Sequence, residues 1–136
     1  MGRVTITEFI EARAAEREAA ALAAAEYPGK DWVNHPGRDA TESVVFEDAG
    51  SPFAWIDSAG SAAIGEHIAW HDPRRVLREV AATRAIVADH LECEEWNEQA
   101  RETRDGEREI CATLRAIAAI DDTHPDYDPS WTPNPT

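Results

Sequence analysis

Three groups of residues in this chain have the types and spacing to do chemistry. His67 and His71 stand four apart in the string HIAWH. On a helix that spacing stacks two imidazoles on one face, where they can chelate one divalent metal. Ile68 occupies the place where a zinc hydrolase of the HExxH type carries its general base, so the zincin mechanism is not indicated. Both histidines also share a stripe with Ile64 and Ile68. That stripe predicts that they point into the fold and bond to backbone or carboxylates.

The second group is His90, Cys93 and Cys111. His90 and Cys93 are three apart and share a helix face. If the chain turns back near residue 102, Cys93 and Cys111 lie at matching heights of a helical hairpin. Three soft ligands for zinc then converge, with His124 as a fourth. If the turn is at Gly106, the two cysteines are offset by about 12 Å along the axis and share no metal. The competing assignment makes Cys111 a small core residue and Cys93 a half-buried thiol. A Cys93–His90 nucleophile pair on one helix lacks the oxyanion geometry that acyl transfer needs. The chain has no GxSxG elbow, no phosphate-cradling P-loop and no GxGxxG turn, so no catalytic motif is present.

The third group is acidic. Residues 89–109 hold nine Asp and Glu against Arg101, Arg104 and Arg108, a net charge of −6. The interspersed signs fit a solvated helix face. Asp89, Glu92, Glu95, Trp96, Glu98 and Glu102 also form a candidate interaction surface for a basic host protein, or a mimic of nucleic-acid charge.

Several elements position these groups. Thr5-Ile6-Thr7-Glu8 is a capping box. It opens a helix over about 6–27 whose stripe is Ile6, Phe9, Ile10, Arg13, Ala14, Arg17 and a run of Ala. Pro28-Gly29 stops it. Runs at 43–47 and 53–57, joined by turn residues, predict a β-hairpin, and Trp32-Val33 a short third strand. A short helix over 62–71 follows. Asp72-Pro73 then caps and begins a long helix over 73–96, with Leu77, Val80, Ala81, Arg84, Val87, Ala88 and Leu91 as its stripe. A last helix spans about 107–120, with Ile110, Leu114, Ile117 and Ala118 inward. Four prolines exclude helix from the tail after Asp121. Tyr127 and Trp131 anchor that tail across the surface, in a groove between the last helix and the His67/His71 helix, with Asp126 and Asp128 closing Asx turns. The fold class is therefore α+β, dominated by about four helices, with one small antiparallel hairpin or three-stranded sheet. The 136 residues suit a single small domain with an irregular, packed tail.

Composition narrows the function. The formal net charge is −14 and apolar residues make up 43% of the chain. That is enough for a modest core, so wholesale disorder is excluded. The acidity argues against direct contact with a nucleic-acid backbone or an anionic membrane. No apolar run approaches the roughly 18 residues that span a bilayer, and the first residues hold no hydrophobic signal segment. Two cysteines are too few for a disulfide scaffold, so reduced thiols and a cytoplasmic setting are expected. One Lys against twelve Arg fits a GC-rich coding bias.

Two strings carry a family resemblance. One runs from Glu66 through His67, His71, Asp72, Pro73 and Leu77 to Val80. The other is Cys111-Ala112-Thr113-Leu114-Arg115-Ala116-Ile117-Ala118, followed by His124-Pro125-Asp126-Tyr127 and Trp131. Together they resemble a family of small actinobacterial and actinophage proteins catalogued as a domain of unknown function. The resemblance covers about residues 61–131, with looser similarity before them, and departs after Asp121, where Asp122 replaces an aromatic. It implies an intracellular bacterial or phage setting and no particular activity. The expected function is that of a non-enzymatic, phage- or element-encoded protein that binds a host protein without a cofactor. The alternative is a small zinc-binding protein.

Overall fold

Helix α1 (Ile6–Glu26) begins where Thr5 and Glu8 exchange hydrogen bonds. The Glu8 amide donates to Thr5 Oγ1 at 3.2 Å, and the Thr5 amide donates to Glu8 Oε2 at 2.8 Å. The capping box of the sequence is thus formed, and it satisfies two amides that a helix start leaves orphaned. The accepted hydrogen bonds hold the Glu8 carboxyl below its ordinary range, the Thr5 amide contributing most and the Thr5 hydroxyl next.

The computed structural model describes residues 4–26, 30–36, 42–47, 52–57, 61–91 and 111–133. The described chain is helix-dominated. After α1 come strands β1 (Trp32–Pro36), β2 (Glu42–Glu47) and β3 (Pro52–Asp57), then α2 (Ser61–Trp70), α3 (Pro73–Asp89) and α4 (Ala112–Ala118). Single 3-10 turns follow at Ala119–Asp121 and Pro129–Trp131. No helix among the described residues is long and apolar enough to cross a membrane.

The chain forms two compact units. One is Glu16–Val80. Its strands lie in the order β1-β2-β3, all antiparallel. Trp32 pairs with Glu47 and Val44 with Trp55, and the register shifts between Val45 and Phe46. Val45 is fully buried. Helix α2 packs on β1 and β2. Its buried residues are Ser61 and Gly65, and Nδ2 of the Asn34 side chain donates to the Ala62 carbonyl at 3.2 Å.

This corrects the expected orientation of α2. Ile64, His67 and His71 are exposed instead of facing inward. The small residues bring the helix backbone within hydrogen-bond reach of a strand side chain, and a bulkier face would hold it away.

At the junction of α2 and α3, Asp72 acts as expected. Its Oδ1 accepts from the Arg75 amide at 2.7 Å, and fully buried Pro73 is the first residue of α3. The second Asp72 oxygen accepts from the Trp32 amide at 3.4 Å, which fastens the cap to the start of β1. Beside it, Arg74 forks onto Asp31, with Nη2 donating at 2.8 Å and Nε contacting the other oxygen. The Arg74 hydrogen bond, with the charges of Arg74, Lys30 and Arg78, holds the Asp31 carboxyl below its usual range.

The other unit is Met1–Ala15 with Ala81–Thr136. Its core is Ile6, Phe9, Ile10, Leu114, Ala118 and Trp131, with Val87, Cys111, Ile117 and Tyr127 packed against it. Of the expected stripe, Ala81 and Ala88 of α3 and Leu91 beyond its end are exposed.

Candidate functional site

The richest constellation of side chains lies where the tail meets the first half of α1. Ile6, Phe9, Ile10 and Arg13 fall at i, i+3, i+4 and i+7, one helix face, and all four are buried. Leu114 and Ala118 of α4 supply the facing surface. The 3-10 turn after α4 releases the chain into a series of short bonds. The His124 amide donates to the Asp121 carbonyl at 3.0 Å, and the Tyr127 amide to the His124 carbonyl at 2.9 Å. Asp128 then caps the second turn, accepting from the Ser130 amide at 2.9 Å, with Pro129 as its first residue. The tail excludes α-helix as its prolines require, yet Pro129 suits the start of a 3-10 turn because its fixed φ matches that position.

These turns aim three rings at Phe9. Trp131 lies 5.3 Å from it, His124 5.7 Å and Tyr127 5.9 Å between centroids, all tilted or edge-on. The Arg13 guanidinium sits over the Phe9 ring, 5.4 Å from its centroid, and contacts Nε2 of His124. Arg13 is only 9% exposed. Its stem lies against apolar neighbours while its charged head meets an imidazole and a ring face.

On the outer side of this cluster Tyr127 and Trp131 meet nearly at right angles, 86°, with centroids 5.7 Å apart. They border an open cleft of about 360 Å³ lined by Val4, Asp126, Tyr127, Asp128, Pro129 and Trp131. Its two charged lining residues are both carboxylates. Asp126 is well exposed; its amide donates to Nδ1 of His124 at 3.1 Å, and its Oδ2 lies 3.9 Å from that nitrogen.

The family model described as a family of unknown function, DUF6221, matches residues 3–133. The chain belongs to the DUF6221 family. No curated protein and no solved structure matches it.

In this DUF6221 protein each sequence-derived metal candidate among the described residues has partners of its own. His67 and His71 stack with centroids 4.3 Å apart, and Nδ1 of His71 donates to the His67 carbonyl at 2.8 Å. His124 contacts Phe9 and Arg13. The tail docks on α1 and α4, where Phe9 and Leu114 offer a buried apolar seat. His90 and Cys111 do come together, with Nδ1 3.3 Å from Sγ and Cys111 half-buried. Cys93 lies outside the described residues. No group of three or more His, Cys, Asp and Glu able to hold a metal occurs among the described residues.

Of the candidate interaction surface, Asp89 is exposed at the end of α3. Glu92, Glu95, Trp96, Glu98 and Glu102 lie outside the described residues. Phe9 and Arg13 are the site residues whose role the sequence reading missed. Their signal was an aromatic and a cation one helical turn apart on a face that also carries Ile6 and Ile10.

Proposed function

We propose that this protein is a non-enzymatic, acidic binding protein that acts on a basic face of a host protein, in the cytoplasm of a bacterial cell and encoded by a phage or mobile element. One observation carries the reading. The folded tail holds Asp121, Asp122, Asp126 and Asp128 on tight turns anchored by buried Trp131. Carboxylates held this way keep their spacing, and a chain of net charge −14 draws cationic surfaces toward them. The wider charge of residues 89–109 adds to that field. The bacterial or phage setting rests on the sequence strings alone.

Affinity capture from an actinobacterial lysate tests it, using the full chain as bait and an unrelated protein of equal charge as control. A specific partner with a basic surface, released progressively as salt rises, is the expected result. Retention of nothing beyond the control overturns the reading.

The contact between His90 and Cys111 favours a second reading, a small zinc-binding protein with these two residues among its ligands. Metal analysis of the purified protein distinguishes the two. Stoichiometric zinc lost on replacing Cys111 with Ser supports the second.

A further inference from the structure

We infer that His67 and His71 form a two-imidazole site for a late first-row divalent metal, of the zinc, copper and nickel class, on the outer face of α2. The site goes beyond the binding reading above and does not depend on it. It belongs to the unit Glu16–Val80, whereas His90 and Cys111 belong to the other.

Exposure is the first observation. A stripe of Ile64, His67 and His71 turned inward would close the pair to any ion. Helix α2 instead buries Ser61 and Gly65, and both histidines stand in solvent. The two rings share one helix face, with centroids 4.3 Å apart. Zinc–nitrogen bonds are about 2.0–2.1 Å, so two nitrogens on one ion stand at most about 4 Å apart. Exposed rings this close reach that span by turning about their side-chain bonds.

The state of His71 is the second observation. Its Nδ1 lies 2.8 Å from the His67 carbonyl oxygen. A carbonyl oxygen only accepts, so Nδ1 carries the proton, and the neutral ring presents its lone pair at Nε2. Metal-binding histidines are held in this way, with the far N–H anchored on a backbone carbonyl or a carboxylate that fixes tautomer and orientation. The anchor has a local cause. The His71 amide donates to the Ile68 carbonyl, so the last turn of α2 leaves the His67 carbonyl to the ring. Capping accounts for the His71 ring and gives no reason for a second imidazole stacked on it. Among the described residues, no hydrogen bond engages Nε2 of His71 or either ring nitrogen of His67.

Ligand type and charge select the ion. Neutral imidazole nitrogens suit zinc, copper and nickel, whereas calcium and magnesium require oxygen. The guanidiniums that follow in the chain are engaged. Arg74 forks onto Asp31, and Arg75 pairs with Glu79 and stacks on Trp70. They oppose a cation little, and a net charge of −14 draws one in. Two protein ligands leave the remaining positions of the ion to water.

The test uses isotope-labelled full-length protein, zinc ions as the probe and imidazole nitrogen spectra. Zinc is expected to shift Nε2 of His71 and a ring nitrogen of His67 together, at one concentration. The same shifts are expected in Cys111→Ser, which separates this site from zinc at His90 and Cys111. His67→Gln changes an exposed position and leaves the His71 anchor in place. It should weaken zinc binding at His71 roughly tenfold or more, because the second imidazole no longer acts intramolecularly. Adding Glu66→His to that variant restores two imidazoles, five residues apart and off a common face. It should bind zinc no more tightly than His67→Gln alone. Shifts confined to the other histidines overturn the proposal, as does titration of His67 and His71 at different zinc concentrations. So does undiminished affinity in either variant with an otherwise unchanged amide spectrum, or loss of both shifts in Cys111→Ser.

Discussion

Among the described residues, the unit containing the tail is tied together by rings, and the unit containing the sheet by hydrogen bonds to backbone. In the first, Phe9 gathers His124, Tyr127 and Trp131 within 5.9 Å, and its buried core is almost wholly side-chain carbon. In the second, the described buried residues are few and small, among them Ser61, Gly65 and Val45. There Asp72, Asn34 and Arg74 tie α2 and α3 to the strand region through defined donors and acceptors. Among the described residues, one unit gathers a few large side chains, and the other shows many small bonds and a close helix–sheet approach.

That contrast can be broken at its strongest point first. Trp131→Ala or Phe9→Ala should each cost about 3–5 kcal/mol, the usual range for emptying an aromatic core site. Thermal unfolding of each variant measures this. Because the two rings touch, the double variant should cost less than the sum, by roughly 0.5–3 kcal/mol. Strict additivity would show that the rings do not act as one cluster.

The sheet unit should respond instead to added bulk. Gly65→Leu should cost about 1–3 kcal/mol by overpacking, although it raises helix propensity. A stabilised variant would show that α2 does not approach the strands closely.

Asp72→Ala should cost about 1 kcal/mol by uncapping α3, with amide exchange rising first at Arg75 and Trp32. Exchange changes confined to α3 would show that the Asp72 bond to Trp32 is not made.

Among the described residues, each unit also contains one carboxylate held below its ordinary range, Glu8 in one and Asp31 in the other. A lowered value means that the unfolded chain binds the proton more readily. The stability each group contributes is therefore full above its unfolded value, 4.5 for Glu8 and 3.8 for Asp31, and is lost as pH falls through the folded value. Thr5→Ala should lower the melting temperature at pH 7, and its deficit against wild type should narrow near pH 3. Arg74→Gln should give the smallest effect of all, disappearing in acid and in about 1 M salt because the pair is open to solvent. A deficit that persists in either condition would show that Arg74 acts through packing.

What could be read from the sequence follows the range of the interactions. The Thr5–Glu8 box and the Asp72–Pro73 start of α3 were legible because a cap involves residues within three positions of each other. The tail anchors were legible for a similar reason. Tyr127 and Trp131 are large apolar residues in a stretch whose prolines exclude α-helix, and packing is the means left to order it. The His90–Cys111 contact was foreseen only as one of several ligand sets, since the sequence leaves open how the chain returns between them.

The face of α2 and the seat of the tail were decided by tertiary structure. Ile64, His67, Ile68 and His71 make the more apolar stripe, yet the helix turns Ser61 and Gly65 inward. Periodicity weighs side-chain hydrophobicity, and it assigns no weight to the absence of a side chain where a strand must come close. The tail had two apolar anchors and several helix faces on which to set them. Phe9 won because Ile6, Ile10, Leu114 and Ala118 surround it with a continuous buried seat, and that continuity exists only when α1 and α4 are side by side. The sequence by itself therefore determined where elements begin and which residues want burial. Which surfaces meet was set by shape complementarity between segments far apart in the chain, a property that no local pattern contains.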